Sequence, residues 1–231
     1  MPGGSGVQWP LIGRTEELHL LRALRNARPA TSAVISGPAG VGKSRLAREA
    51  LQEAAHEGWP TLAIRGTTGY AIVPFGPLRS VLNVPSNNDA TELMTSIEQE
   101  LLGMRTSREL MLVADDAQHL DDASAGLLHQ LAASAAIVLV LTTRTGTQVP
   151  AALTELWKDG LAERIELQSL SRRETTELLT ASLGGPIKDS SAGRIWHITG
   201  GNPLYLREVI HSSQETGSLR LVDEEWRWRG D

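Results

Sequence analysis

Cysteine is absent from the 231-residue sequence. This absence excludes a disulfide framework, cysteine-ligated zinc and iron–sulfur sites, and a cysteine nucleophile, and it is consistent with a reducing cytoplasm. Histidine does not take over as a metal ligand, because the six histidines show no HExxH or other ligand spacing. We therefore expect the chemistry of this chain to be carried by other residue types.

Long hydrophobic runs are also missing. The longest, 135-AAIVLVL-141, is much shorter than the ~18 residues of a membrane-spanning helix, and no signal peptide opens the chain. We therefore expect a soluble, cytoplasmic protein with no membrane partner. The formal net charge of −5 argues against a nucleic-acid-binding surface that extends over the whole domain.

Short apolar runs alternate with helical patterns along the chain. The runs are 33-AVISG-37, 61-TLAIRG-66, 110-LMLVA-114, 136-AIVLVLTT-143 and 163-ERIELQ-168. The central ones are apolar at every position, which is typical of parallel strands covered by helices on both faces. The predicted fold is therefore α/β, a parallel sheet flanked by helices, followed by a small helical subdomain.

The pattern also predicts the boundaries of these parts. The predicted parts are a flexible leader (1–8), the α/β domain (9–170), the helical lid subdomain (171–215) and a terminal hairpin (216–231). The lid subdomain opens with 171-SRRE-174, whose spacing is that of a capping box. In 202-NP-203 the asparagine suits a helix N-cap and the proline the first helical position.

The segment 37-GPAGVGKS-44 joins a predicted strand to a predicted helix. Its glycines let the backbone wrap tightly so that N–H groups point at phosphate oxygens, beside the positive N-terminus of the following helix. The pattern G-x-x-x-x-G-K-[ST] between a strand and a helix is typical of a P-loop, so we predict nucleoside triphosphate binding. The predicted phosphate-binding residues are Gly37, Pro38, Ala39, Gly40, Val41, Gly42, Lys43, Ser44 and Arg45.

Two residues at the end of this loop have separate predicted roles. Lys43 is expected to neutralise the β- and γ-phosphates. Ser44 is expected to supply a hydroxyl ligand for Mg²⁺, which usually takes only one or two protein groups beside phosphates and waters. The structural alternative is a merely glycine-rich turn, but the lysine, the hydroxyl and the strand–loop–helix setting all coincide.

The acidic stretch 109-ELMLVADDAQHLDD-122 admits three interpretations: a multi-carboxylate metal cluster, a solvated acidic face, or one half of a phosphate site. A P-loop with Mg²⁺ requires a carboxylate at the tip of a neighbouring buried strand, which makes Asp115 the predicted metal-side acid. Asp116 is predicted to orient or deprotonate the attacking water. Because aspartate is one methylene shorter than the commoner glutamate, we expect slow hydrolysis.

The other two aspartates of this stretch have a structural interpretation. Asp121 and Asp122 precede a run with a leucine stripe, so they are predicted to cap a helix and to complement its dipole. Arg144 ends the fourth predicted strand, beside the tip of the third. Spacing alone leaves open whether Arg144 contacts the γ-phosphate or is a solvated strand-end arginine.

Five segments occur in order along the chain: 11-LIGRTEEL-18, 37-GPAGVGKS-44, 110-LMLVADDAQHLDDAS-124, 137-IVLVLTTR-144 and 199-TGGNPLYLREV-209. Together they resemble the signal-transduction ATPases with numerous domains (STAND), a branch of the AAA+ class. The resemblance is greatest to the ATPase module of large LuxR-type, MalT-like bacterial transcription regulators, and it covers about residues 9–215.

The resemblance implies roles that spacing does not. It places Leu11, Ile12, Gly13 and Arg14 against the adenine and ribose, and it implies a γ-phosphate contact for Arg144. Pro203, in the family's glycine-x-proline motif, is implied to pack near the base. The implied cofactors are ATP or ADP with Mg²⁺, and the implied function is a slowly hydrolysing switch whose lid and core close as ATP exchanges for ADP.

The same resemblance implies further parts and partners. Residues 219–230 look like the first hairpin of a winged-helix domain, with Trp226 and Trp228 facing a core that this chain lacks. DNA binding is implied only through a C-terminal helix-turn-helix missing from this chain, and the full-length protein is expected to form an ATP-dependent homo-oligomer. Two rival functions are a non-hydrolysing nucleotide-dependent assembly module and a P-loop small-molecule kinase, which would normally show lid arginines and an acceptor pocket.

Overall fold

The computed structural model describes residues 9–84 and 89–229. The predicted leader (1–8) lies outside the described residues. The strands are β1 (Ser32–Gly37), β2 (Thr61–Arg65), β3 (Leu110–Asp115), β4 (Ile137–Arg144), β5 (Ala162–Glu166), β6 (Leu219–Val222) and β7 (Glu225–Trp228). The helices are α1 (Thr15–Asn26), α2 (Lys43–His56), α3 (Gly76–Arg79), α4 (Ala90–Gly103), α5 (Asp122–Ala133), α6 (Ala151–Lys158), α7 (Arg172–Leu183), α8 (Asp189–Thr199) and α9 (Pro203–Glu215), with a 3₁₀ turn at Ala117–His119.

Strands β1 to β5 form one parallel sheet in the order β2-β3-β4-β1-β5. All five coincide with the predicted apolar runs, and the α/β fold class is confirmed. The prediction that Asp115 ends a strand neighbouring the P-loop strand is wrong, because β4 pairs with both β1 and β3 and separates them. The correction matters for the site, since a side chain of β4 bridges this gap.

The chain divides into two compact units. The sheet unit comprises residues 16–38 and 43–167, and its core is formed by aliphatic side chains of the strands and of α4, α5 and α6. Every residue of β1 is buried, as are the first seven of β4, which explains why these runs carry no polar alternation. The sequence pattern thus identified central strands rather than edge strands.

The helical unit comprises residues 9–15, 39–42 and 168–229 of the described chain, so it includes four residues of the P-loop. Its helices α7, α8 and α9 share a core that includes Leu179, Ile195 and Leu206, each 0% exposed. The β6–β7 hairpin is antiparallel, as predicted.

The predicted helix starts are confirmed. Asp121 is the N-cap of α5, where its carboxylate accepts from the Ser124 N–H, and Asp122 lies in the first turn. Ser171 and Glu174 form the capping box of α7. Asn202 caps α9, with proline at the first helical position. Each case shows local backbone chemistry that the sequence alone indicates.

The prediction that Trp226 and Trp228 face a missing core is wrong. Trp228 is buried in the core of the helical unit, and its Nε1 donates to the Ser213 Oγ at 2.8 Å. Trp226 Nε1 donates to the Leu183 carbonyl at 3.2 Å. The hairpin packs on the helical unit because α7, α8 and α9 leave an apolar surface that these two indoles cover.

Among the described residues, no helix is both long enough and apolar enough to span a bilayer.

Candidate nucleotide-binding site

The P-loop connects β1 to α2, and two of its glycines adopt conformations that disfavour other residues. Gly40 has φ 78° and Gly42 has φ 105°. A Cβ atom on Gly40 would lie 2.7 Å from both the Asn202 Oδ1 and the Leu204 Cβ, within the helical unit. Glycine at position 40 therefore permits both the turn of the loop and its close approach to the start of α9.

Lys43 is the first residue of α2, and its side chain is only 7% exposed. Its Nζ donates to the carbonyls of Gly37 at 2.9 Å and Pro38 at 2.7 Å. Burial lowers the pKa of Lys43; the Arg144 charge acts in the same direction, whereas Asp116 and Asp115 oppose the shift. The ammonium is thus held at the mouth of the loop by carbonyl oxygens that a phosphate oxygen can supplement.

Ser44, Asp115 and Thr142 form a hydrogen-bonded group at the carboxyl end of the sheet. The Oδ1 of Asp115 accepts from the Ser44 hydroxyl at 2.6 Å and from the Thr142 hydroxyl at 2.6 Å. Thr142 belongs to β4, the strand between β1 and β3, and is fully buried. The structure therefore brings together the two predicted Mg²⁺ ligands.

These oxygen donors fit Mg²⁺, which prefers hard oxygen ligands and keeps most of its shell for phosphates and waters. Within the described ranges, no three histidine, cysteine, aspartate or glutamate side chains form a metal-binding group. The interpretation of 109–122 as a multi-carboxylate cluster therefore fails for the described chain. A metal ion at Ser44 and Asp115 needs the phosphates of a bound nucleotide to complete its coordination.

Asp116 follows β3 in a left-handed conformation, with φ 52° and ψ 47°. Its backbone N–H donates to the Thr142 Oγ1 at 2.9 Å, and its Oδ1 accepts from the Gln118 Nε2 at 2.9 Å. Its Oδ2 accepts from Arg65 at 3.1 Å, and the Arg144 Nε lies 3.7 Å from its Oδ1. The Asp116 carboxylate is therefore fixed by Gln118, Arg65 and Arg144.

These contacts determine the ionisation of Asp116. Burial raises its pKa, but hydrogen bonds from Gln118 and Arg65, with the charges of Arg144 and Arg65, outweigh burial and leave the pKa below its usual value. A carboxylate stabilised in this way is a weak base. It is better suited to orienting a water molecule than to taking its proton.

Arg65 and Thr142 are site residues that the sequence reasoning missed. Arg65 ends β2, and its Nε also lies 3.9 Å from the Asp115 Oδ2. The carboxyl ends of parallel strands meet at one edge of the sheet, and this rule predicts a site position for Arg144. The same rule applies to Arg65 and Thr142, which also lie at strand ends. Arg65 is directly followed by Gly66, where a Cβ would collide with the Asp116 carbonyl oxygen, so glycine is required there.

The remaining predicted phosphate-side residues are placed as follows. Arg144 pairs with Gly37 in the β1–β4 register and is about half exposed, with a side-chain exposure of 49%. Arg45 projects from the first turn of α2 and pairs with Glu49 at 3.4 Å. Val41 is fully buried. Phosphate contacts for these residues stay predictions.

The segment implied to contact adenine and ribose lies in the helical unit. Arg14 is 6% exposed, and its guanidinium donates to the carbonyls of Gln168 at 2.6 Å and Val41 at 3.3 Å. Ile12 packs against the core of this unit, and Leu11 and Gly13 are half-buried. Arg14 thus fixes the P-loop backbone, whereas its contact with a nucleotide stays a prediction.

The start of α9 contacts the P-loop within the same unit. The Asn202 Nδ2 donates to the Ala39 carbonyl at 2.9 Å, and the Leu204 N–H donates to the Gly40 carbonyl at 3.3 Å. Pro203 lies between these two residues and is half-buried. The P-loop backbone and the glycine-x-proline motif are therefore hydrogen-bonded to each other.

A model of the AAA ATPase domain family matches residues 10–142, more than half of the chain. The chain belongs to this family. Uncharacterized proteins Rv0894 of Mycobacterium tuberculosis and Mb0918 of Mycobacterium bovis are each 30% identical to this AAA ATPase domain over 137 residues. The match covers 58% of this chain and 33% of each relative, so the chain spans about a third of their length.

Solved structures show the same fold. ORC1 of Aeropyrum pernix, in complex with DNA, is similar with a TM-score of 0.68 at 18% identity, covering 96% of this chain and 64% of that chain. AMPPCP-bound DnaA from Aquifex aeolicus has a TM-score of 0.62 at 16% identity, and the match covers 90% of this chain and 64% of that chain. A RuvB variant of Thermotoga maritima has a TM-score of 0.58 at 19% identity, and the match covers 88% of this chain and 62% of that chain. At these identities the similarity concerns the fold alone.

Thr142→Val is expected to lower the free energy of unfolding of this AAA ATPase domain by about 1–3 kcal/mol, because the partly buried Asp116 N–H and the Asp115 carboxylate each lose a partner. Urea unfolding followed by circular dichroism measures the change. Thr143→Val is the matched control, since no hydrogen bond of the Thr143 hydroxyl occurs in the described chain. Equal losses in both variants would contradict the bridging role of Thr142.

The depressed pKa of Asp116 predicts a specific dependence of stability on pH. Because the folded-state pKa lies below the unfolded value of about 4, Asp116 stabilises the fold above that pH. This contribution is lost as the pH falls through the folded-state pKa. The difference in unfolding free energy between wild type and Asp116→Asn, measured by denaturant titrations at a series of pH values, is therefore expected to shrink below about pH 4. A difference that does not change with pH would contradict this assignment.

Proposed function

We propose that this AAA ATPase domain is an ATP-binding, slowly hydrolysing signal-transduction switch. The observation that carries the proposal is the direct contact between Ser44 and Asp115, at 2.6 Å, beside the buried Lys43. A hydroxyl, a carboxylate and an ammonium in this arrangement match the needs of a triphosphate with Mg²⁺. The AMPPCP in the similar DnaA structure supports a nucleotide as the ligand.

Each site residue of the sheet unit has its own proposed role. Lys43 donates to the β- and γ-phosphate oxygens, and Ser44 and Asp115 hold Mg²⁺. When bound, Mg²⁺ neutralises charge that develops on the phosphate oxygens. Asp116 orients the attacking water, and Arg144 contacts the γ-phosphate. Asp116 and Arg144 lie beside each other, so the attacking water and the γ-phosphate are proposed to bind at the same edge of the sheet.

Switching between ATP and ADP states is proposed to depend on α9. Since Asn202 and Leu204 are hydrogen-bonded to P-loop carbonyls, a change of the loop on phosphate binding acts on the start of α9 directly. A switch requires that ATP and ADP favour different conformations. Pro203 and the segment Leu11–Arg14 are proposed to contact the base and the ribose, in line with the resemblance to the STAND class.

The wider context of the switch is also a proposal. The five ordered motifs favour a transcription regulator of the LuxR type in the cytoplasm, in which this domain controls DNA binding and homo-oligomerisation by other parts of a longer protein. Residues 216–231 are proposed to begin a winged-helix domain. The DNA in the similar ORC1 structure is consistent with a role next to nucleic acid.

A second candidate function is a nucleotide-dependent assembly module that does not hydrolyse ATP. Asp116 favours it, because the carboxylate is short, has a depressed pKa and is already bonded to Arg65 and Gln118. Such a module switches by exchange of nucleotide rather than by cleavage.

Single-turnover hydrolysis of γ-³²P-labelled ATP, with protein in excess, distinguishes the two functions. Release of labelled phosphate that requires Mg²⁺ is expected for the slow ATPase. Tight ATP binding without any release would instead establish the assembly module. Small-angle scattering of the ADP and AMPPCP complexes tests the switch, and identical scattering curves would contradict it.

A further inference from the structure

A cavity lies in the sheet unit, next to the loop that follows β4. Its volume is about 260 Å³, and its walls include Val34, Ser36, Thr143, Val149, Trp157 and Arg164. Typical drug-sized ligand sites measure roughly 300–1,000 Å³, so this cavity suits a compact molecule. Of the residues that line the cavity, only Arg144 also has a proposed nucleotide-binding role.

The polar groups of the cavity belong to neighbouring positions of three strands. Ser36 of β1 pairs with Thr143 of β4, and Val34 pairs with Arg164 of β5. The Arg164 Nε donates to the Ser36 Oγ at 3.3 Å. Within the part of the chain that the structure describes, the Arg164 guanidinium forms no ion pair, so it retains donors for an anion.

Thr143 adds a hydroxyl that has no protein partner. The residue is only 5% exposed, and no hydrogen bond to its hydroxyl occurs among residues 9–84 and 89–229. Its oxygen is not one of the fully buried atoms without a partner, so it is accessible to a ligand in the cavity that the residue lines. The opposite part of the cavity is apolar, formed by Val34, Val149 and the indole of Trp157.

We propose that this cavity binds a small organic anion. Its carboxylate or phosphate oxygens accept from the Arg164 guanidinium and the Thr143 hydroxyl, and its compact apolar part packs against Trp157. Guanidinium groups bind such planar or tetrahedral oxyanions through paired N–H donors. The ligand adds the anion that Arg164 lacks and the acceptor that Thr143 lacks.

The position of the cavity gives the ligand a route to the nucleotide site. Thr142 contacts Asp115, Thr143 lines the cavity and Arg144 lies 3.7 Å from Asp116, so three consecutive residues of β4 face both sites. Arg144 also lines the cavity, so a ligand bound there lies against the same strand end that contacts Asp116.

Fluorine NMR of protein labelled with 5-fluorotryptophan tests the proposal, with the Trp157 resonance assigned from a Trp157→Phe variant. Benzoate and phenyl phosphate serve as probes for a carboxylate and a phosphate ligand. We expect a saturable shift of the Trp157 resonance with at least one probe, and the stronger probe identifies the oxyanion. Arg164→Gln and Thr143→Val are expected to lower the affinity for that probe roughly tenfold or more, since each removes a donor to a charged group.

The control is Arg105→Gln, which removes an exposed arginine of the same unit outside the cavity. The probe is expected to bind Arg105→Gln as it binds the wild type. If Lys43→Ala also retains probe binding, the probe binds in the cavity and not at the P-loop. A Trp157 resonance that moves with neither probe, or one that moves equally in wild type and Arg164→Gln, overturns the proposal. The readout uses no nucleotide, so it is independent of whether the domain binds ATP.

Discussion

Replacing Lys43 with alanine is expected to weaken ATP binding by roughly 100-fold, because two charge-assisted hydrogen bonds to phosphate oxygens disappear together. The burial of Lys43, which is 7% exposed, strengthens the effect, because a hydrogen bond to a charged group is stronger in a poorly solvated site. Isothermal titration calorimetry with ATP and Mg²⁺ measures the change. We expect ADP to lose less affinity than ATP, since it lacks the γ-phosphate.

Lys158→Ala is the matched control, because Lys158 is an exposed lysine at the end of α6. Its affinity for ATP is expected to equal that of the wild type. Circular dichroism and thermal unfolding show whether Lys43→Ala remains folded, which is expected because the change shortens a side chain that bonds only carbonyl oxygens. Full ATP affinity in a folded Lys43→Ala variant would contradict the proposed phosphate site.

The features that the sequence predicted well are those encoded within a few residues. The P-loop combines strand, glycines, lysine and hydroxyl in eight consecutive positions, 37–44. Helix capping by Asp121, Ser171 and Asn202 depends on backbone N–H groups two or three residues away. Such short-range chemistry does not depend on how the rest of the chain folds.

Contacts between distant strands were harder to predict. Thr142 reaches Asp115 only because β4 lies between β1 and β3, and the order of strands in a sheet is not encoded in any one segment. Arg65 meets Asp116 for the same reason, across the β2–β3 pair. Both side chains look like ordinary strand-end residues until the pairing is known.

The wrong prediction for Trp226 and Trp228 has a different cause. An alternating hairpin with two indoles indicates an apolar face, but it does not indicate which surface covers that face. The helical unit offers Ser213 as an acceptor for one indole and the Leu183 carbonyl for the other. The resemblance implies a further domain as the cover, whereas packing within the described chain already satisfies both side chains.

Asp116→Asn is expected to lower the single-turnover rate of ATP hydrolysis by about 100-fold, the loss that a reacting group misplaced by roughly an ångström can cause. An asparagine is nearly isosteric with aspartate but keeps only one acceptor oxygen, so it retains the bond from either Gln118 or Arg65 and not both. The negative charge that orients the attacking water is lost, however. ATP affinity is expected to remain within a few-fold, because Lys43 and the Ser44–Asp115 pair are unchanged.

Asp122→Asn provides the control from the same acidic stretch, since Asp122 is exposed in the first turn of α5, away from the hydrogen bonds around Asp115. Its turnover rate is expected to match the wild type. If Asp116→Asn hydrolyses ATP at the wild-type rate, Asp116 does not position the water. Its depressed pKa and its bonds to Arg65 and Gln118 then serve only to hold the end of β3, and the non-hydrolysing assembly module becomes the better account of this site.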